Sequence, residues 1–400
     1  IMISIQNALE IILEETKLQP TQEVGILEAS GYILAQDIFS KDTLPPFNKS
    51  AMDGYSYNMD KANDAKTLKV VALVKAGDYY EKELNPGEAV KIMTGAPVPA
   101  SADTVIEIEK VKAEKDTIII ESPVKKGSNI IFKGEELVSG DLVLEKGKQI
   151  TPADIGLLAS LGYPRVSIYK PPTVACLVTG DELVDIDQEI SKGKIRNCNT
   201  YTLEAMINQI KAVPVAFDII PDDKEVLKAT VLKAFETCDF VVSTGGASVG
   251  DFDFVLEVLE EIGAEIKFTK VAIKPGKPIT FAKYKNKLFF SLPGNPMSVI
   301  TAFEQFVKPS LRQSMGNMTM EHVETIPMKI GDGFKLRKGR TKYIFVNVEK
   351  VGDEYIAYNT SSQCSNHLMT VSKSDAVLII PENIEDVNKG DIHNGRFIFK

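Results

Sequence analysis

The sequence predicts an α/β multi-domain protein. It comprises a three-layer α/β domain at 172–317, a discontinuous helical N-terminal domain at 1–43 and 139–171, a β-rich module inserted at 44–138 and a C-terminal β-barrel at 318–400. Three observations predict it. Strand-like and helix-like segments alternate from residue 173 to 313, the pattern of a sheet covered by helices on both faces. Before that, from residue 44 to about 139, short strands are separated by Gly, Pro and Asn turns. After about residue 318, strand patterns return at 343–348 and 376–380.

Each element follows from local pattern. Residues 4–17 read as an amphipathic helix and 21–40 as a second. Thr151 as N-cap and Pro152 at the first helical position start a further helix, expected to pack with those two. Pro171-Pro172 forms a linker. Residues 173–178 form a continuous apolar run, a buried strand ending in Thr179-Gly180-Asp181-Glu182-Leu183. A helix at about 200–211 and a strand at 213–220 follow. Pro221-Asp222-Asp223 then opens a helix reaching about Glu236, with Asp as a favoured cap.

The most informative stretch is Ser243-Thr244-Gly245-Gly246-Ala247-Ser248-Val249-Gly250-Asp251-Phe252-Asp253, between strand formers and a helical segment beginning at Phe254. A glycine-rich loop in that setting presents backbone N–H groups to a phosphate. Its hydroxyls suit phosphate oxygens, and its aspartates suit a hard cation such as Mg2+. It carries neither Gly-Lys-Ser/Thr nor G-x-G-x-x-G. Downstream, Lys274-Pro275-Gly276-Lys277-Pro278 fixes two cations between prolines. Ser291-Leu292-Pro293-Gly294-Asn295-Pro296 ends a strand in a sharp turn that opens another helix. Loops at successive strand ends compose a ligand site, because open α/β sheets bind beyond the carboxyl ends of their strands.

Composition excludes several classes. A net charge of −9 and a pI near 5.2 argue against a nucleic-acid binder. No apolar run approaches a membrane span, and the first residues lack a secretory-leader pattern, so a cytoplasmic location is expected. Cys176, Cys198, Cys238 and Cys364 show no Cys-x-x-Cys spacing, and His322, His367 and His393 are dispersed. Reduced thiols are expected, without a zinc or histidine metal site.

Taken together the motifs resemble the MoeA family, the molybdopterin molybdenumtransferases, related to plant Cnx E and gephyrin E domains. The resemblance is carried by Pro45-Pro46-Phe47-Asn48-Lys49-Ser50-Ala51-Met52-Asp53-Gly54-Tyr55, by Ile92-Met93-Thr94-Gly95-Ala96-Pro97-Val98-Pro99, by the segment from Thr179, and by the three later loops. They occur in the family's order over roughly residues 4–400. The resemblance implies insertion of molybdenum, from molybdate as substrate, into adenylylated molybdopterin with release of AMP. It implies Mg2+ or a similar divalent cation, a homodimer, and the molybdopterin adenylyltransferase as a candidate partner protein.

It also implies residue roles. Ser243, Gly245, Gly246, Ser248 and Gly250 would bind phosphate. Asp222, Asp251 and Asp253 would hold the cation or act on its bound water. Lys274 and Lys277 would attract molybdate and phosphate, and Glu182 would contact ligand or metal. Pro293, Gly294, Asn295 and Pro296 would shape the pocket floor, and Arg337 and Arg340 would face the anion. Asp53 and Thr94 would reach the site from another subunit. Two alternatives are a molybdopterin adenylyltransferase, whose fold the α/β domain resembles, and a gephyrin-like scaffold without enzymatic activity. The Met52-Asp53-Gly54 segment counts against the first, and the intact acidic and lysine loops count against the second.

Overall fold

A computed structural model describes residues 2–62, 65–245, 254–317, 324–360 and 363–398. Two compact units emerge, one of residues 1–36, 147–151 and 165–400, the other of 37–146 and 152–164. The chain is a mixed α/β multi-domain protein, as its sequence predicts.

The larger unit is built on a six-stranded sheet. Its order is Val213–Ala216, Thr173–Val178, Phe240–Thr244, Lys287–Leu292, Thr280–Tyr284, Glu265–Phe268. The first four strands run parallel, and the last two are added through antiparallel pairings, so that only Thr280–Tyr284 runs against the rest. Side chains alternate across the sheet with the two-residue period of a strand. Val174, Cys176, Val242 and Phe290 face one core with Leu203 and Phe303. Ala175, Leu177, Val241 and Phe289 face the other with Leu227, Val231 and Val258. Helices therefore cover both faces, and the central strands read as unbroken apolar runs because neither side meets water.

The N-terminal helix, Ile5–Glu15, is capped by the Ser4 hydroxyl, which accepts from the Asn7 N–H at 3.1 Å. Its Ala8 and Ile12 sit in the first of those cores. The expected second helix at 21–40 is absent. Thr21–Gly25 is instead a strand paired antiparallel with Arg165–Tyr169, and turns follow it. Tertiary pairing overrides a weak helical pattern that begins with β-branched Thr21 and contains Val24 and Gly25.

The C-terminal region closes into a five-stranded barrel of Thr341–Val351, Glu354–Asn359, Ile326–Ile330, Ile392–Phe397 and Ala376–Ile380. A short strand, Ile273–Lys274, adds parallel to the barrel edge at Thr341 and Lys342. The lysine-proline loop of the α/β layer is thereby hydrogen-bonded to the barrel.

The smaller unit holds a six-stranded sheet ordered Thr104–Glu107, Gly54–Tyr57, Glu88–Ile92, Thr67–Val74, Thr117–Ile120, Val111–Glu114. The helix Pro152–Ser160 belongs to this unit.

Candidate active site

Parallel register places the strand ends side by side. Val178 pairs with Thr244, and Thr244 with Leu292, so the loops that begin at Thr179, Gly245 and Pro293 emerge together. They are stitched to one another. The Thr179 N–H donates to the Thr244 carbonyl at 3.1 Å. The Asn199 amide donates to the Gly294 carbonyl at 2.8 Å and to the Thr244 hydroxyl at 3.4 Å. Gly245 has φ +88°, and a Cβ there would stand 2.5 Å from the Thr179 carbonyl oxygen. Only glycine permits that approach.

Beyond these ends lies a cleft of about 1000 Å³. Of the residues singled out in the sequence, Glu182, Gly245, Lys274, Lys277, Pro293, Gly294, Asn295, Pro296 and Arg340 line it. Barrel and α/β elements both contribute. The Asn295 amide donates to the Ser365 hydroxyl at 2.9 Å, and Arg340 donates to the Ile273 carbonyl at 3.1 Å. Both bonds fix wall residues to the opposite wall.

Among the described residues the electrostatics are one-sided: Arg196, Lys274, Lys277, Arg340 and Lys342 face the cleft with one carboxylate, Glu182. The Thr179 hydroxyl is buried against the same wall and finds no hydrogen-bond partner among the described residues. Such a group is costly to leave unmatched and suits a ligand acceptor or donor. Burial, with Lys274 and Arg340 close by, holds the Lys342 ammonium below the usual lysine range. Cys176 in the sheet is a different matter. Burial pushes its thiol up to about 12, so it is an inert core residue.

Other singled-out residues lie elsewhere. Ser243 is wholly buried inside its strand, its hydroxyl unpartnered among the described residues. Asp222 braces a neighbouring loop. Its carboxylate accepts from the Asp181 N–H at 3.3 Å, and its own N–H donates to the Asp181 carboxylate at 3.1 Å. Arg337 is exposed and does not line the cleft. Gly246, Ser248, Gly250, Asp251 and Asp253 lie outside the described residues.

In the smaller unit, Gly54 pairs with Ile92 across antiparallel strands, which sets Asp53 beside Thr94. The Asp53 carboxylate accepts from the Thr94 N–H and hydroxyl, each at 2.7 Å. The backbone bond and then the hydroxyl bond hold Asp53 below its ordinary carboxylate range.

Sequence reasoning missed Asn199, Lys342 and Ser365. A signal existed for Asn199, since Asn197-Cys198-Asn199-Thr200 sits directly before a helical pattern, a position where polar side chains bond neighbouring loops. Lys342 carried none. It stands beside Tyr343-Ile344-Phe345-Val346, where the sequence reads as an ordinary strand entrance.

Three family models match the chain. "MoeA N-terminal region (domain I and II)" matches residues 3–162, "Probable molybdopterin binding domain" matches 175–313, and "MoeA C-terminal region (domain IV)" matches 327–392. A molybdopterin molybdenumtransferase of Nostoc sp. is 33% identical over 91% of this chain and 85% of its own. One of Haemophilus influenzae is 37% identical over 79% of this chain and 78% of its own. The solved structure of a molybdopterin biosynthesis MoeA protein from Pyrococcus horikosii superposes with a TM-score of 0.86 at 30% identity, covering 99% of each chain.

Proposed function

Since the chain belongs to the MoeA family, we propose that its cleft takes adenylylated molybdopterin and molybdate, inserts the metal and releases AMP. The protein is a transferase of molybdenum cofactor biosynthesis. The observation that carries the finer reading is the cleft itself, where the described residues set five cations against one carboxylate at the carboxyl ends of a parallel sheet.

The chemistry follows from those groups. Molybdate is a tetrahedral dianion, and Lys274, Lys277 and Arg340 offer it point charge and guanidinium donors. The phosphoanhydride of the adenylate needs its negative charge neutralised before the AMP oxygen can leave. The substrate's own dithiolene sulfurs bind the incoming metal, so the protein need supply no nucleophile. Its residues orient the anions and exclude water. The carboxylate of Glu182, which lines the cleft, suits Mg2+, which takes only one or two carboxylates when phosphates supply the rest. Among Asp222, Asp251 and Asp253, one or two would hold the cation and another would act on its bound water; when bound, the cation would supply charge neutralisation and orient the attacking oxygen.

The active form in this reading is a cytoplasmic homodimer, in which Asp53 and Thr94 act at the cleft of the other subunit; no helix of the described residues is long and apolar enough to cross a membrane. A closed pair makes two equivalent sites. The assay is AMP release from adenylylated molybdopterin with molybdate, run beside molybdopterin with ATP. Turnover is expected in the first mixture alone. Asp253→Ala should nearly abolish it while circular dichroism stays native, and wild-type AMP release by that variant at saturating Mg2+ would end its proposed role. Mixed Asp53→Ala and Asp253→Ala subunits should regain activity that neither homodimer has. No recovery after verified subunit exchange would refute the shared site.

A further inference from the structure

One buried charge is counted in that reading but given no individual role. Lys342 is 2% exposed and stands directly before the apolar run Tyr343-Ile344-Phe345-Val346 of its strand. Along Thr341–Val351, Tyr343 and Phe345 join the core under the α/β layer, whereas Ile344 and Val346 join the barrel core. Lys342 has the parity of Ile344 and Val346, so a lysine takes the outermost rung of the barrel's apolar stack. It nevertheless lines the cleft.

Its surroundings do not neutralise it. Strand register sets Lys274 directly opposite on one side and Ile380 on the other. The ammonium donates to the Arg340 carbonyl at 3.2 Å. Its other two donors have no partner among the described residues, and neither does it form an ion pair there. The charged groups that act on it are Lys274 from the added strand, Arg340 from its own strand entrance, and Glu382 from beyond Ala376–Ile380. The first two disfavour its charge, and the last favours it. Like charges directly opposite destabilise a sheet, and a buried unpaired cation is worse. A ligand anion removes both penalties.

We propose that Lys342 is a specificity-determining residue of the cleft, completing with Lys274 and Arg340 a three-cation cradle that selects a tetrahedral dianion over a monoanion. The proposal rests on the reading of the cleft as a molybdate site. Because the free ammonium sits below the ordinary lysine range, a bound dianion favours its protonated form. Binding therefore takes up a proton in the alkaline window, and affinity falls as pH rises through the free-site value.

The test is calorimetry on the full chain with molybdate, and with perrhenate as a tetrahedral monoanion, from pH 7 to pH 9.5 in buffers of different ionisation enthalpy. Wild type should prefer molybdate and show buffer-dependent proton uptake. Lys342→Met should weaken molybdate at least about tenfold, the effect of losing a charge-assisted bond, and perrhenate less. Lys342→Arg should keep the preference and lose the proton uptake, which a merely structural lysine would not predict. It also carries the test if Lys342→Met fails to fold. Wild-type molybdate affinity in folded Lys342→Met, or unchanged proton uptake in Lys342→Arg, would overturn the proposal. Oxyanion binding by wild type without AMP release would instead remove the proposed reaction and leave the cradle standing.

Discussion

Replacing Gly245 by Ala tests whether the strand ends are locked as described. The residue has φ +88°, where a side chain costs about 1–2 kcal/mol. The new Cβ would also meet the Thr179 carbonyl oxygen at 2.5 Å and its hydroxyl at 2.7 Å, well inside the 3.4 Å where ordinary contact begins. Thr179 cannot easily yield. Its N–H is bonded to Thr244, and it forms a bridge with Ile220. Relieving the overlap moves backbone, which costs about 1–3 kcal/mol in a packed interior. The two effects together make about 2–5 kcal/mol. At about 2–4 °C per kcal/mol for a unit of this size, the melting temperature should fall about 4–20 °C. Gly193→Ala is the control. It has φ +82° with nothing within 4 Å of its Cβ, so only the conformational part applies. Both variants are followed by tyrosine fluorescence and by amide exchange in Thr173–Val178, because a multi-domain chain need not unfold in one step. Equal losses in the two variants would refute the close-approach argument.

Asn199→Ala removes the 2.8 Å bond to Gly294 and should cost about 1–3 kcal/mol by chemical denaturation. Asn199→Asp should not restore it, since a carboxylate cannot donate to a carbonyl. Lys274→Ala and Lys277→Ala should each weaken molybdate binding in calorimetry, with added salt reproducing part of the loss. Unchanged affinity in both would make these residues a solvated turn. Thr94→Val keeps the N–H bond to Asp53 and deletes the hydroxyl bond, so a carboxyl NMR titration should place the Asp53 midpoint higher than in wild type. The sign is fixed by the depressed value. The stability Asp53 contributes is present above the ordinary carboxylate pKa and is lost as pH falls through the lower folded one, so the variant loses it at higher pH. An unmoved midpoint would mean the hydroxyl bond does not act on Asp53.

Much of the α/β layer was legible because its determinants are local. Apolar runs at 174–178 and 240–242 mark strands buried on both faces, and glycine-containing turns from Thr179 and Gly245 mark their ends. Long-range pairing was not legible. Thr21–Gly25 becomes a strand only because Arg165–Tyr169 lies beside it, more than a hundred residues away. Ile273–Lys274 is too short to show any periodicity, so its addition to the barrel could not be read from the chain. Lys342 was hidden for the same reason, since its burial depends on neighbours from three separate stretches. Asp222 shows the converse limit. Its residue type suited a metal ligand or a helix cap, and the structure finds it bracing Asp181.

The pairing of Ile273–Lys274 with Thr341–Val351 bears on how this chain can be divided. Sequence order suggests that the barrel is an appendage, removable by cutting near residue 317. The hydrogen-bonded join means that such a cut would strip Lys274 of its strand neighbour and remove Arg340, Lys342 and Ser365 from the cleft. A shortened chain would retain the sheet and its strand-end loops, but without the opposing wall. Any recombination that swaps α/β layers between relatives must therefore carry both sides of this two-residue seam, and the smallest unit that can be inherited intact is larger than either layer alone.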